Sequence, residues 1–241
     1  MKTLIFTDSH GKDPSKLVDW AVKLEGIEKL ASLGDLDTPN VLQDILEKTK
    51  QHNLRRILAI GNHEYHYVKH YGMDRTSYMS QSASDYLAEW DGFPKERQFV
   101  LDAIEGKIPD TGLIVSDNEI VYAHASLADI GRVDSNVPDF VWGRLLYHLG
   151  KLSKSFDEMG NLNDFRLFFR GHDHLNAITV QKGNIIQETE FGYWGKRKID
   201  IENTRTIVSV GAFYEGEFAL YDNETQEVDF KCWNFTENKP Y

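Results

Sequence analysis

Apolar residues in this chain come in short runs that stop abruptly at polar turns. Thr3–Thr7 ends at Asp8-Ser9-His10-Gly11, Leu30–Leu33 at Gly34-Asp35, and Ile57–Ile60 at Gly61-Asn62-His63. Runs of four or five apolar or β-branched residues bounded by Gly and Asp predict buried strands. Between them Leu17, Val18, Ala21, Val22 and Leu24 are spaced as one helical face. A second such face, Val41, Leu42, Ile45 and Leu46, follows Pro39, which suits a first helical position. Strand, turn and helix thus alternate, which predicts an α/β sheet with parallel pairs.

The rhythm changes after Glu64. Ser84–Trp90 and Lys95–Ile104 read as helices, so 64–118 is expected to be an inserted cap or rim within one domain spanning 1–241. Glu119–Ala123 reads as a strand delivering His124, and Phe140–Leu149 as a helix. Lys151–Asn163 reads as a polar linker, and Phe165–Arg170 as a strand delivering Gly171-His172-Asp173-His174. The remainder predicts a β-meander, with strands near Ala177–Gln181, Ile185–Thr189, Thr206–Val210, Glu217–Tyr221 and Val228–Trp233.

Each strand that ends early in a polar turn ends in metal-ligating residue types: Asp8 and His10, Asp35, Asn62 and His63, His124, then His172 and His174. Side chains at strand ends project from a rigid edge, where α/β sheets place binding groups. Imidazole with carboxylate suits Mn, Fe, Zn or Ni better than Ca or Mg alone. Singly, each of these residues is equally a cap, a turn residue or a hydrogen-bonded histidine. Their repetition at successive strand ends is what points to a metal centre.

In this order the motifs resemble those of the calcineurin-like metallophosphoesterase superfamily, in particular its smaller bacterial and archaeal phosphodiesterase-type branch. The matching segments are Asp8-Ser9-His10, Gly34-Asp35, Gly61-Asn62-His63-Glu64, His124 and Gly171-His172-Asp173-His174. Tyr122–Ser126 and Val208–Gly211 resemble two further segments of that branch. The resemblance implies a four-layer α-β-β-α sandwich of two mixed sheets flanked by helices. It implies two divalent metal ions activating a water: Asp8, His10, Asp35 and His174 on one, Asn62, His124 and His172 on the other, with Asp35 bridging. His63 would then protonate the departing oxygen or contact the phosphate as a cation. The Asp-Arg pair that many phosphatase relatives carry is replaced here by Asp37-Thr38, which weighs against the protein Ser/Thr phosphatase branch.

Beyond the motifs, Tyr65, Tyr67 and Arg75 are candidate substrate contacts at the pocket mouth, although packing roles fit them equally. The aromatic and basic stretch Phe191–Lys198 reads as an exposed hairpin or a self-association patch. His52, His66, His70 and His148 match no motif, and Asp134–Asp139 reads as a solvated loop.

Composition narrows the partners. With 27 Lys and Arg against 38 Asp and Glu, the net charge is −11, which opposes broad nucleic-acid binding. A single phosphorylated small molecule, nucleotide or phosphopeptide remains a suitable substrate, since two dications outweigh the carboxylates that hold them. Cys232 is the only cysteine, the first residues lack a signal-peptide pattern, and no run is long enough to span a bilayer. A cytoplasmic protein is expected. The competing readings are a phosphoprotein phosphatase and, from another class, a protein-binding scaffold with a vestigial metal site.

Overall fold

The computed structural model describes residues 1–69, 89–128 and 149–241, leaving aside the side chains of 66–69, 149 and 188. Period-two alternation decides its layers. In β1 (Lys2–Phe6), Leu4 and Phe6 face one way and Ile5 the other, and all three are fully buried. The strand therefore has apolar groups on both faces and needs a layer on each.

On one side of the first sheet, Leu4, Phe6, Leu30, Leu58 and Ile60 pack beneath three helices, α1 (Ser15–Ala21), α2 (Pro39–Gln51) and α4 (Pro94–Ile104). Leu17, Val18, Leu42, Ile45 and Val100 of those helices are buried against them. α2 begins as its sequence predicts, with Thr38 accepting from the Val41 amide at 3.4 Å and Pro39 next. α1 stops at Ala21, short of the expected Leu24. On the sheet's other side, Ile5, Ala31 and Ile57 meet Tyr122, Leu167, Phe169 and Val208 of the second sheet. The outer face of that second sheet, with Val121, Ala123, Phe168 and Ile207, is covered by Leu152, Phe156 and Met159.

These covering residues correct the reading of Lys151–Asn163 as a linker: Leu149–Asn163 is a helix, α5. Its apolar positions fall at i, i+4 and i+7, a single stripe in an otherwise polar segment. Ser155, fully buried, donates to or accepts from Ser126 at 3.1 Å and fixes the helix next to the His124 segment. Phe156 is fully buried, so Phe156→Ala should cost about 3–4 kcal/mol. Urea unfolding of the metal-free protein measures this as a lowered midpoint at unchanged slope.

The first sheet has eight strands. Along its main path the order is β10 (Gly195–Lys198), β13 (Glu227–Asn234), β12 (Glu217–Asp222), β1, β2 (Ile27–Ser32), β3 (Arg55–Ala59) and β4 (Thr111–Gly112), with β14 (Lys239–Pro240) pairing β13. The second has six, in the order β5 (Ile114–Asp117), β6 (Ile120–Ala123), β7 (Leu167–Arg170), β11 (Arg205–Ser209), β8 (Ala177–Lys182) and β9 (Ile185–Phe191). Both sheets are mixed: β1, β2, β3 and β4 run parallel, as do β6, β7 and β11, while the other neighbours are antiparallel.

The expected meander is corrected by this topology. β11 inserts between β7 and β8 instead of following β9, and the chain leaves the second sheet after β9 to pair β10 with β13 in the first. Gly195–Lys198 is thus a strand and not the tip of a hairpin. Within 64–118, α4 packs on the helical cluster, and β4 and β5 join the first and second sheets. Most of the helix expected at Ser84–Trp90, nearly all of that at Phe140–Leu149, and His70, Arg75, His148 and Asp134–Asp139 lie outside the described residues. No helix among the described residues is long and apolar enough to cross a membrane.

Candidate metal centre

The parallel strands β1, β2, β3, β6 and β7 all end at one edge of the sandwich, and each turn there carries motif residues. The turns are zipped together by their backbones: Asp8 donates to Gly34 at 2.9 Å, His10 to the Asp35 carbonyl at 3.1 Å, and Gly171 to the His124 carbonyl at 2.9 Å. Asp8, His10, Asp35, Asp37, His172 and His174 all take left-handed φ values, between 45° and 68°. That region is sparsely populated by non-glycine residues, and several together mark a turn cluster held in place by its surroundings. Glycine is required where the turns touch. A Cβ on Gly61 would overlap the Asp35 carboxylate, and one on Gly171 would overlap the Thr7 hydroxyl.

Among the described residues, three overlapping groups of side chains offer ligand atoms within 4.8 Å of one another: Asp8, His10 and His174; His10, Asp35 and His63; and Asp35, His124 and His172. Asp35 is common to the last two and is 2 % exposed. Asn62 joins the third group, its Oδ1 lying 2.8 Å from His124 Nε2. The structure therefore brings together Asp8, His10, Asp35, Asn62, His63, His124, His172 and His174.

The remaining bonds of these residues determine which atoms are available. Asp8 Oδ2 accepts the Thr7 hydroxyl at 2.7 Å and the His172 amide at 2.9 Å. Its Oδ1 is buried, accepts no hydrogen bond, and faces His174 Nε2 at 3.2 Å. His124 Nδ1 donates to the Leu33 carbonyl at 2.7 Å, which directs Nε2 at Asn62 Oδ1, at His172 Nδ1 (3.1 Å) and at Asp35 Oδ2 (3.3 Å). His10 Nδ1 donates to Asp37 at 3.0 Å, leaving Nε2 3.4 Å from His174 Nε2. Lone pairs from oxygen and nitrogen thus converge, and they repel unless a cation lies among them. A donor set of imidazoles and carboxylates, with His10 and His124 anchored through their other nitrogens, fits a divalent transition metal.

A proton is the competing cation. Burial lowers the affinity of His124 for it, but Asp35 and Asp8 prevail and raise its pKa to about 9. Burial and the charge on His124 push His172 down to about 3. Metal binding at neutral pH must therefore displace the His124 proton. Manganese titrations at pH 7.5 in buffers of different ionisation enthalpy should show about one proton released, and affinity should weaken as pH falls from 9 to 6. Affinity independent of pH would contradict this.

Two carboxylates that sequence reading did not assign hold the centre in shape. Glu64, 1 % exposed, accepts the amides of Asp35 (2.9 Å), Leu36 (2.6 Å), Asp37 (3.1 Å) and Gly61 (3.0 Å), stapling the β2 turn to the β3 turn. Burial and the charges of Asp35 and Asp37 push its own carboxyl upward. Asp37 binds His10 through one oxygen and His63 Nδ1 through the other, and its carbonyl accepts the Trp90 indole at 2.8 Å. The second residue after Asp35 thus supplies a carboxylate that aims two imidazoles. The acid was visible in Gly34-Asp35-Leu36-Asp37, yet only the missing arginine was read from it. Tyr214, edge-on to His10 at 5.1 Å and to His174 at 5.5 Å, is a further neighbour with no motif to announce it.

His63 opens α3 (Asn62–Lys69) and is part-buried, its amide donating to Asp35 Oδ1 at 3.0 Å and its Nε2 lying 3.7 Å from Asp35 Oδ2. Burial lowers its proton affinity, but Asp35 and Asp37 outweigh that and raise its pKa to about 9. Of the candidate substrate contacts, Tyr65 is 4 % exposed within the helical core cluster, not at a pocket mouth. The side chain of Tyr67, and all of Arg75, lie outside the described residues.

No protein-family model matches the sequence, and no curated protein matches it. Solved structures do. The metallophosphoesterase from Sphaerobacter thermophilus superposes with a TM-score of 0.57 at 17% identity, over 95% of this chain and 87% of that one. A point mutant of a cold-active protein tyrosine phosphatase gives 0.55 at 12% identity, over 100% of this chain and 79% of that one. The sandwich described above is the metallophosphoesterase fold.

Proposed function

We propose that this chain is a metal-dependent phosphoesterase that hydrolyses a phosphomonoester or phosphodiester, and that two divalent cations are its cofactors. The observation that carries the reading is the sharing of Asp35 by two donor groups, His10–Asp35–His63 and Asp35–His124–His172, the first joined through His10 to Asp8 and His174. Asp8, His10, Asp35 and His174 would hold one ion, and Asp35, Asn62, His124 and His172 the other. Bound there, manganese, iron, zinc or nickel supplies Lewis acidity to phosphoryl oxygens and acidifies a hydrolytic water.

The chain's own residues do the rest. Asp37 fixes the His63 ring by taking Nδ1–H, so that Nε2 is the nitrogen left to act. With its pKa raised to about 9, His63 carries a proton at neutral pH, and Nε2–H is placed to hand it to the departing oxygen. Glu64 keeps the turns bearing Asp35 and Asn62 at fixed separation, so the site is built before substrate arrives. Substrates within this reading are phosphorylated small molecules, nucleotides and phosphopeptides.

The test is hydrolysis of p-nitrophenyl phosphate and bis(p-nitrophenyl) phosphate by protein reconstituted with each of the four metals. Turnover that is abolished by chelator and restored by one metal is expected. Absence of turnover on both esters with every metal would overturn the proposal.

A further inference from the structure

On the helical side of the first sheet, far from the metal centre, a cavity of about 360 Å³ opens between the end of α2, the start of β3 and the turn before β4. Its walls include Leu46, Lys50, Asn53, Leu54, Arg56 and Pro109. Arg56 is the second residue of β3, whose other end delivers Asn62, roughly 15–20 Å away along the chain direction.

The charge of Arg56 is unusual in this acidic protein because, among the described residues, no carboxylate bonds to it, and the charge of Asp110 acts on it without contact. The residue is half-buried; among the described residues its side chain makes no hydrogen bond or ion pair, and its Nε is buried without a partner. Its guanidinium lies over the Phe99 ring at 5.3 Å, which orients it but leaves its N–H donors unused. Burial accordingly pushes its proton affinity down. The acid in the same wall, Asp110, is already engaged by Arg55 through two bonds of 2.9 and 2.8 Å. Lys50 and Asn53 are exposed beside it. A second cavity, of about 190 Å³, also contains cations, but there Lys29 is paired with Asp117 and Arg166 with Asp164. The Arg56 cavity differs in having donors to spare.

We propose that this cavity is an anion site separate from the metal centre, taking a phosphoryl dianion between Arg56, Lys50 and Asn53. A tetrahedral phosphate can accept from all three at once, whereas a planar carboxylate is satisfied by the guanidinium fork alone. Leu46, Leu54 and Pro109 give the apolar part of a phosphomonoester a surface to lie on. Occupancy would tie the carboxyl end of α2 to β3 and the turn before β4, and is independent of whether the metal centre is catalytic.

The experiment titrates inorganic phosphate into metal-free protein by calorimetry at constant ionic strength, with phenyl phosphate and acetate as parallel arms. Saturable binding with a dissociation constant on the order of 1 mM is expected. It should weaken tenfold or more in Arg56→Met and two- to fivefold in Lys50→Ala, and stay unchanged in His63→Asn. Tighter binding of phenyl phosphate identifies an ester as the ligand, and equal binding identifies free phosphate. Should Arg56→Met fold poorly, the Arg56 Nε–H resonance of the wild-type protein must shift with the same saturation curve. Unsaturable binding, equal response to acetate, or wild-type affinity in Lys50→Ala with an unmoved Arg56 resonance would overturn the site.

Discussion

Alanine at Asp35 should abolish hydrolysis, by on the order of a thousandfold or more, and lower metal content in the same preparation. The carboxylate is nearly fully buried, contributes to two donor groups, and lies 3.3 Å from His124 Nε2. His63 and His124, the histidines around it, hold Asp35 far below the usual carboxylate range despite the opposing effect of burial. It is therefore an anion at any working pH, and its removal takes one charge from the place where the proposed cations meet. The unliganded fold should also lose stability, because His124 and His63 are left without their anion, and relief of the repulsion on Asp8 and Glu64 offsets only part of that loss. Thermal unfolding separates these effects. The metal-free variant should melt below the metal-free wild type, while added manganese should stabilise the wild type alone. A variant that retained both metal and turnover would remove Asp35 from the centre.

Asparagine at His63 should produce the opposite pattern, with metal content retained and turnover lowered by about 10²- to 10⁴-fold. Its imidazole proton is what the proposed reaction uses, whereas the groups Asp8–His10–His174 and Asp35–His124–His172 are complete without it. The sign of the pH dependence follows from its raised pKa. The protonated form prevails below about 9, so its contribution is full at neutral pH and is lost as pH rises through that value. Bound cations offset the charge of Asp35 and bring this limb lower. After Asp35, Asp37 contributes more to raising it than Glu64 does, so Asp37→Asn should shift the basic limb to lower pH by about one unit. Loss of metal in His63→Asn would instead make it a ligand, which its membership in the His10–Asp35 group allows chemically.

The residues that the structure brings together were legible because each follows directly on a buried strand, and a run such as Ile57–Ile60 ending in Gly61-Asn62-His63 announces both the strand and its polar end. The four layers were legible only through the resemblance of the motifs, since periodicity alone supports no more than alternating strands and helices followed by antiparallel strands. Legibility failed where polar residues do structural work. α5 was hidden by Lys151, Ser153, Lys154 and Ser155, although Leu152, Phe156 and Met159 had helical spacing throughout. β10 reads Gly-Lys-Arg-Lys and owes its strand conformation to pairing with β13 from thirty residues further on, which no local pattern records. Glu64 and Asp37 receive no role from the sequence, because their bonds are to the backbone and the imidazoles of the site itself. Such roles depend on which turns lie side by side, and that is a property of topology.

The central claim is that Asp35 sits between two cations. Anomalous scattering from crystals grown with manganese tests it most directly, with two peaks expected: one among Asp8, His10 and His174, the other among Asn62, His124 and His172, and Asp35 reaching both. A single peak not touching Asp35, or none at saturating metal, would contradict the account.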